Sequence, residues 1–238
     1  RQIYKREEIF RQEGWNYHLE QKEGPLKYNG VVYNEMKGAF SSPDEVLERE
    51  IMNHLFPDTT YGCESGGDPK NIPDLTYENF LNFHRTYYHP SNSYIYLYGN
   101  MDMEEKLAFL DEHYLSHFDY LDVDSVIQEQ KAFGACQDVT LEYPVAENEG
   151  EEDNTYLSYN MVVGNAADSQ MAMAFEVLDY ALLSAPGAPL KQALLDVKAG
   201  KDVYGSYDDG ILQPYFTVIA KGSNPDRKEE FVSVIRQV

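Results

Sequence analysis

A strand, a glycine-containing turn and a helix follow one another twice in this chain, about 120 residues apart. The first copy runs Ser93-Tyr94-Ile95-Tyr96-Leu97-Tyr98, Gly99-Asn100, then a helix from Met103 to Tyr114. The second runs Tyr215-Phe216-Thr217-Val218-Ile219-Ala220, then Lys221-Gly222-Ser223-Asn224-Pro225, then a helix from Asp226. Period-2 runs rich in aromatic and β-branched residues, closed by Gly and Asn, read as strands. The repetition points to two related modules.

Other local signals fill in the order. Residues 3–20 read as an amphipathic helix with Ile3, Phe10 and Trp15 as core contacts, and Gly24-Pro25 ends it. Gly30 to Tyr33 is a short apolar segment leading into a helix through Glu35, Met36 and Lys37. Pro43 suits the first position of a helix over Asp44 to Phe56. Pro57 to Pro73 is a long loop containing Gly62, Gly66, Gly67 and Pro69, the kind that carries function or wraps another element. Thr76 caps a helix to about Tyr88. Asp119 to Gly134 is a polar connector. The second module opens with strand Val139 to Tyr143, passes an acidic loop at Glu147 to Asp153, and continues with a strand over Tyr156 to Val163 and a helix from Ser169 to Ser184.

With 41 acidic against 19 basic residues the net charge is −22, which opposes nucleic acid and anionic lipid and favours cationic partners. No apolar run of about 18 residues is present, so no helix spans a membrane. Two cysteines, Cys63 and Cys136, lie far apart and form neither a disulfide framework nor a C-x-x-C knuckle. With no visible signal peptide, they suit a reducing, cytoplasmic compartment. The first residue is Arg1, and both ends read as helix, which points to a fragment of a longer polypeptide.

Several stretches resemble catalytic or metal motifs and fall short of them. Cys63-Glu64-Ser65-Gly66-Gly67-Asp68-Pro69 has the look of a serine-nucleophile loop, but only His18 and His54 precede Ser65 and no orienting triad is apparent, so it reads as a backbone turn. The phosphate-cradling glycine patterns are absent. His113 and His117 are spaced i, i+4 as zinc-binding imidazoles can be, but Phe109 stands where an inverted zinc motif needs a ligand, and a solvated or packed pair is the plainer reading. The acidic loop lacks the alternating calcium pattern. Taken alone, Glu35 would be an ordinary glutamate near a helix start.

Its surroundings alter that. Gln12-Glu13-Gly14-Trp15, Gly30-Val31-Val32-Tyr33-Asn34-Glu35-Met36-Lys37-Gly38, Ser65 to Lys70, Ile72-Pro73-Asp74-Leu75-Thr76 and Phe83 to Asn92 resemble the zinc peptidases of the pitrilysin and insulysin superfamily, most of all the presequence protease and falcilysin branch. Ala185 to Leu190 and Leu212-Gln213-Pro214 extend the resemblance toward the C-terminus. It implies an α+β, insulinase-like fold, two related modules of antiparallel-type sheet packed with helices and both incomplete, in which the two histidines of an H-x-x-E-H motif and a distal glutamate hold zinc while the motif glutamate is the base. Asn34-Glu35-Met36 matches the distal-ligand segment, so Glu35 is the expected metal ligand. The motif itself is absent and would lie upstream of Arg1.

The resemblance further implies that residues 1–119 are the C-terminal part of a catalytic-type domain, 120–134 a connector, and 135–238 the N-terminal part of a non-catalytic homologous domain. Partners would be unfolded peptide substrates and the remaining domains or a partner chain, with no nucleic acid or membrane. Trp15, Tyr87 and Tyr88 are expected in the core. The expected function is that of a zinc metalloendopeptidase fragment degrading short unfolded peptides, inactive by itself. The alternative is a non-catalytic scaffold or partner subunit of a two-chain protease.

Overall fold

A computed structural model of the chain describes residues 6–145 and 150–238. Ile3 and the acidic residues Glu147 and Glu149 lie outside the described residues. In chain order the elements are α1 (Glu7–Glu13), β1 (Asn16–His18), β2 (Lys27–Asn29), α2 (Val31–Ala39), α3 (Pro43–Leu55), α4 (Tyr77–Tyr87) and α5 (Met103–His113). There follow β3 (Thr155–Val162), α6 (Ser169–Asp179), α7 (Pro189–Asp196), β4 (Asp202–Asp208), β5 (Tyr215–Ser223) and α8 (Lys228–Gln237). They form two compact units that interleave along the chain: residues to Ala39 with Gly66–Val126, and Phe40–Ser65 with Ile127–Val238. The packing thus groups the stretch from Phe40 to Ser65 with the C-terminal half.

In the first unit the N-terminal helix is shorter than its hydrophobic pattern predicts. Its last turn closes where the Gly14 N–H donates to Phe10 O at 2.8 Å. The chain then turns so that Asn16–His18 pairs antiparallel with Lys27–Asn29, placing Tyr17 opposite Tyr28. Trp15 at this corner is buried, and its indole N–H donates to Leu75 O at 2.8 Å. Phe10, Trp15 and Ile72 form the core here, with Val32, Tyr33, Met36 and Tyr77 packed on it. The helix containing Glu35 begins at Val31 itself, so the valines belong to its first turn. Thr76 and Asn79 form the reciprocal capping box that starts α4.

In the second unit one antiparallel sheet runs β3-β5-β4. The central strand β5 is buried on both faces from Tyr215 to Ala220, and all of these but Thr217 are aromatic or aliphatic. Alternate residues sort to opposite sides. Phe216, Val218 and Ala220 pack with Leu183, Leu190, Leu194 and Phe231 from the α6–α7 region and α8. Tyr215 and Ile219 pack with Ile51 and Phe56 of α3 and its C-cap. Pro43 at N1 gives α3 a preset first turn, as expected. The long loop after it holds Asp58, whose N–H donates to Gln130 Oε1 at 2.9 Å while Gln130 Nε2 donates back to Asp58 Oδ2 at 2.8 Å.

Two expected strands are not formed. Ser93–Tyr98 and Val139–Tyr143 carry strand composition, yet neither pairs with another strand among the described residues, and Tyr94, Tyr96, Tyr98, Val139 and Leu141 are exposed. A strand exists only in a ladder, so pattern without a partner leaves the backbone unassigned. Of the two strand–turn–helix copies, only the second is complete, as β5, the turn Pro225–Arg227 and α8. The antiparallel sheet packed with helices holds as the fold class. Tyr87 and Tyr88 are also not core residues. Both are exposed, with Tyr87 on Phe83 at 4.9 Å between ring centroids and Tyr88 stacked on His84 at 4.9 Å. Among the described residues no helix is long and apolar enough to cross a membrane.

Candidate metal centre

Glu35 stands exposed on α2, and the start of that helix is fixed by backbone contact. Gly30 has φ +145°, a conformation that side chains resist. A Cβ there would overlap Gly14 O and come within 2.7 Å of Trp15 Cα. That close approach lets the Tyr33 N–H donate to Gly14 O at 3.3 Å and the Asn34 N–H to Gly30 O at 3.0 Å. The Asn34 side chain reaches back, Nδ2 donating to Asn29 Oδ1 at 2.8 Å. Val32, Tyr33 and Met36 turn inward to the Trp15 core, leaving Asn34 and Glu35 outward.

An open cleft of about 660 Å³ lies along this helix start, lined by Glu7, Glu8, Arg11, Asn29 and Asn34 among others. Arg11 is held by Glu7 at 3.0 Å and lies over the Trp15 ring at 5.2 Å. Glu35 is the next residue along from the cleft wall at Asn34. The arrangement can offer one carboxylate oxygen donor from an anchored helix beside an open cleft.

His113 is the last residue of α5, Tyr114 caps it, and His117 lies in a separate turn, Leu115–His117. The two imidazoles therefore do not share one helical face. Among the described residues no three His, Cys, Asp or Glu side chains are placed to share a metal ion. The Ser65-Gly66-Gly67-Asp68 stretch is a packing turn: Asp68 Oδ1 accepts from Lys70 N at 2.7 Å and Asp68 O from Ile72 N at 2.8 Å.

The second unit holds a polar cluster with no counterpart in the sequence reading. The Asp44 carboxylate in the first turn of α3 receives Lys221 Nζ at 2.8 Å and 3.1 Å, Tyr204 OH at 3.2 Å and Tyr156 OH at 3.5 Å. One helix carboxylate is thus bonded from all three strands. The Lys221 ammonium holds Asp44 below the usual carboxylate range, and Asp44 in turn raises Lys221. Burial, then the Asp44 charge, pushes the Tyr204 hydroxyl up to about 12.

Because the folded carboxyl titrates lower than the unfolded one, its contribution is present above the unfolded value of about 3.9 and is lost as pH falls below it. Asp44 and Lys221 are both partly exposed, so the contribution is small, under about 1 kcal/mol. Urea unfolding of Asp44→Asn should show a stability curve flatter than wild type between neutral pH and about pH 3, by that amount. Parallel curves would mean that the cluster carries no net stabilisation.

A family model described as the Peptidase M16 inactive domain matches residues 74–238. Protein HypA of Clostridium perfringens is 52% identical over 98% of this chain and 24% of its own length. Presequence protease 1, chloroplastic/mitochondrial, of Arabidopsis thaliana is 38% identical over 95% of this chain and 21% of its own length. The mitochondrial presequence protease of Xenopus laevis is 34% identical over 98% and 23%. The chain therefore spans between 21% and 24% of the length of these curated relatives. A solved structure described as an M16-like peptidase from Alicyclobacillus acidocaldarius shares the fold at a TM-score of 0.52 and 17% identity, over 87% of this chain and 50% of that one. A protease from Helicobacter pylori does so at 0.51 and 18%, with the same coverage of 87% and 50%.

Proposed function

The chain belongs to the M16 peptidase family, and from that premise we propose that it is a segment of a zinc-dependent metalloendopeptidase of the presequence-protease kind, supplying Glu35 as one metal ligand. The observation that carries this reading is α2 itself. It is anchored through Gly30 and Asn34 and presents Glu35 outward, within a stretch that aligns almost throughout with presequence proteases.

A carboxylate on a fixed, open helix face fits one ligand position of zinc. A catalytic zinc takes three protein ligands, so the remaining two come from outside these 238 residues. When bound, zinc would supply a Lewis acid and a nucleophilic water at neutral pH. The part of this chain is to hold Glu35 in place. The substrates proposed are short unfolded peptides, and the net charge of −22 suits cationic ones. The other partners are the further domains of the same polypeptide or a partner chain. An intracellular location accords with the two exposed free thiols, Cys63 and Cys136.

The match to an inactive-type domain over residues 74–238 favours a second reading, a non-catalytic scaffold or partner subunit. Zinc content by elemental mass spectrometry separates the two. The peptidase reading expects about one zinc per full-length protein and none on the 238-residue chain after dialysis. A full-length protein without zinc would leave the scaffold. Stoichiometric zinc on the short chain would move the site to other residues, His113 and His117 first.

A further inference from the structure

The glycine loop that the sequence leaves as a mere turn lies against the helix that carries Glu35. A Cβ on Gly66 would overlap Met36 Sδ and stand 2.8 Å from Met36 Cε and 3.1 Å from its Cγ. Met36 directly follows Glu35 and is packed on the core of Phe10, Trp15 and Ile72. The loop is in turn tied down. Gly67 adopts φ +88°, with Ile72 Cγ1 3.1 Å from its Cβ position, and the Asp68 carbonyl accepts both Asn71 N and Ile72 N at 2.8 Å. Backbone at residues 66–68, the buried Ile72 and the inner side chain of α2 thus form one packed body.

We propose that this loop is a positioning strap for the metal-ligand helix: Gly66 leaves the space that Met36 fills, and that contact sets the rotation of α2 and hence the direction of Glu35. The inference rests on the reading of Glu35 as a metal ligand. An α-helix turns about 100° per residue and moves as a hydrogen-bonded rod, so an inner residue that is pushed carries its outer neighbour with it. Metal–ligand distances tolerate only about 0.2 Å. Filling the space at Gly66 by one methyl group obliges the partly buried Met36 side chain either to change rotamer or to lift the helix. The strap predicts the second.

The test uses the full-length protein that carries this segment, with zinc affinity measured by chelator competition alongside kcat/KM on an unfolded peptide. Gly66→Ala should weaken zinc about 10-fold, the size of other changes that act through a ligand's support. Met36→Ala alone, which removes the side chain that meets the loop, should weaken zinc by a similar factor. A purely structural role would lower the melting temperature of the zinc-free protein and leave the zinc affinity of the folded protein unchanged. If Glu35→Gln weakens zinc but Gly66→Ala or Met36→Ala does not, the strap is wrong and the ligand reading stands. If Glu35→Gln leaves zinc affinity unchanged, the ligand reading itself falls, and the strap with it.

Discussion

Glu35→Gln in the full-length protein should lose zinc and peptidase activity together, each by more than about 100-fold, beyond the effect of altering a residue that merely supports a ligand. The substitution keeps the shape of the side chain and replaces a charged carboxylate by a neutral amide. Glu35 is exposed and its neighbours Asn34 and Met36 make the contacts that fix α2, so the fold should not notice. Exposed substitutions of this kind stay within about 0.5 kcal/mol of wild type. Circular dichroism and a thermal melt of the zinc-free variant should therefore overlay those of the zinc-free wild type. A normal turnover rate with normal zinc would remove Glu35 from the site. A parallel loss of zinc and of folded structure would make it a structural residue. Excess zinc separates a weakened site from a destroyed catalyst: partial recovery of rate at high zinc is expected, since two ligands would remain.

The elements that the sequence discloses are those with local causes. Pro43 at the start of α3, the Thr76–Asn79 box before α4 and the Asp102 side chain accepting from Glu105 N ahead of α5 each sit within four residues of what they explain. Strand β5 is legible for a different reason, since burial on both faces favours a largely apolar run, interrupted from Tyr215 to Ala220 only by Thr217. The failures are all non-local. Ser93–Tyr98 has the composition of a strand, but composition cannot supply the neighbour that makes one. Strand β1, of three residues, is too short to interrupt the helical pattern read across it, and only its pairing with β2 shows that the helix has ended. The Asp44 cluster joins residues 112, 160 and 177 positions apart, beyond any window of sequence.

The candidate site divides in the same way. That Glu35 sits on a helix follows from its neighbours. The proposal that it is a ligand rests on the likeness of its surroundings to a family, because nothing in a lone exposed carboxylate distinguishes it. What holds the helix in place is legible from neither. The contacts of Gly30 with Gly14 and of Met36 with Gly66 depend on how distant backbones meet, and glycine in a sequence does not say what it makes room for.

Gly30→Ala puts that last point to measurement. At φ +145° an alanine is strained by about 1–3 kcal/mol before any contact is counted. Its methyl group would also overlap the Gly14 carbonyl oxygen and press on Trp15 Cα, and backbone atoms cannot swing aside as a side-chain end can. The corner between α1 and β1 must then separate from the start of α2, at a cost in the range of overpacked cores, a further 1–3 kcal/mol. Trp15 is the only tryptophan in the chain and lies at the point of collision, buried in the wild type with its indole bonded to Leu75 O. Its emission should shift to the red in Gly30→Ala, and the first fluorescence transition in urea should move to lower concentration by roughly 1–2 M, given slopes of about 1–3 kcal/mol/M. Gly38, further along the same helix with open space around its Cβ position, is the control. Gly38→Ala should hold or raise stability by up to about 1 kcal/mol, as an alanine in a helix does. Equal effects at the two glycines would mean that α2 is not anchored at Gly30, and the rigid placement of Glu35 would lose its foundation.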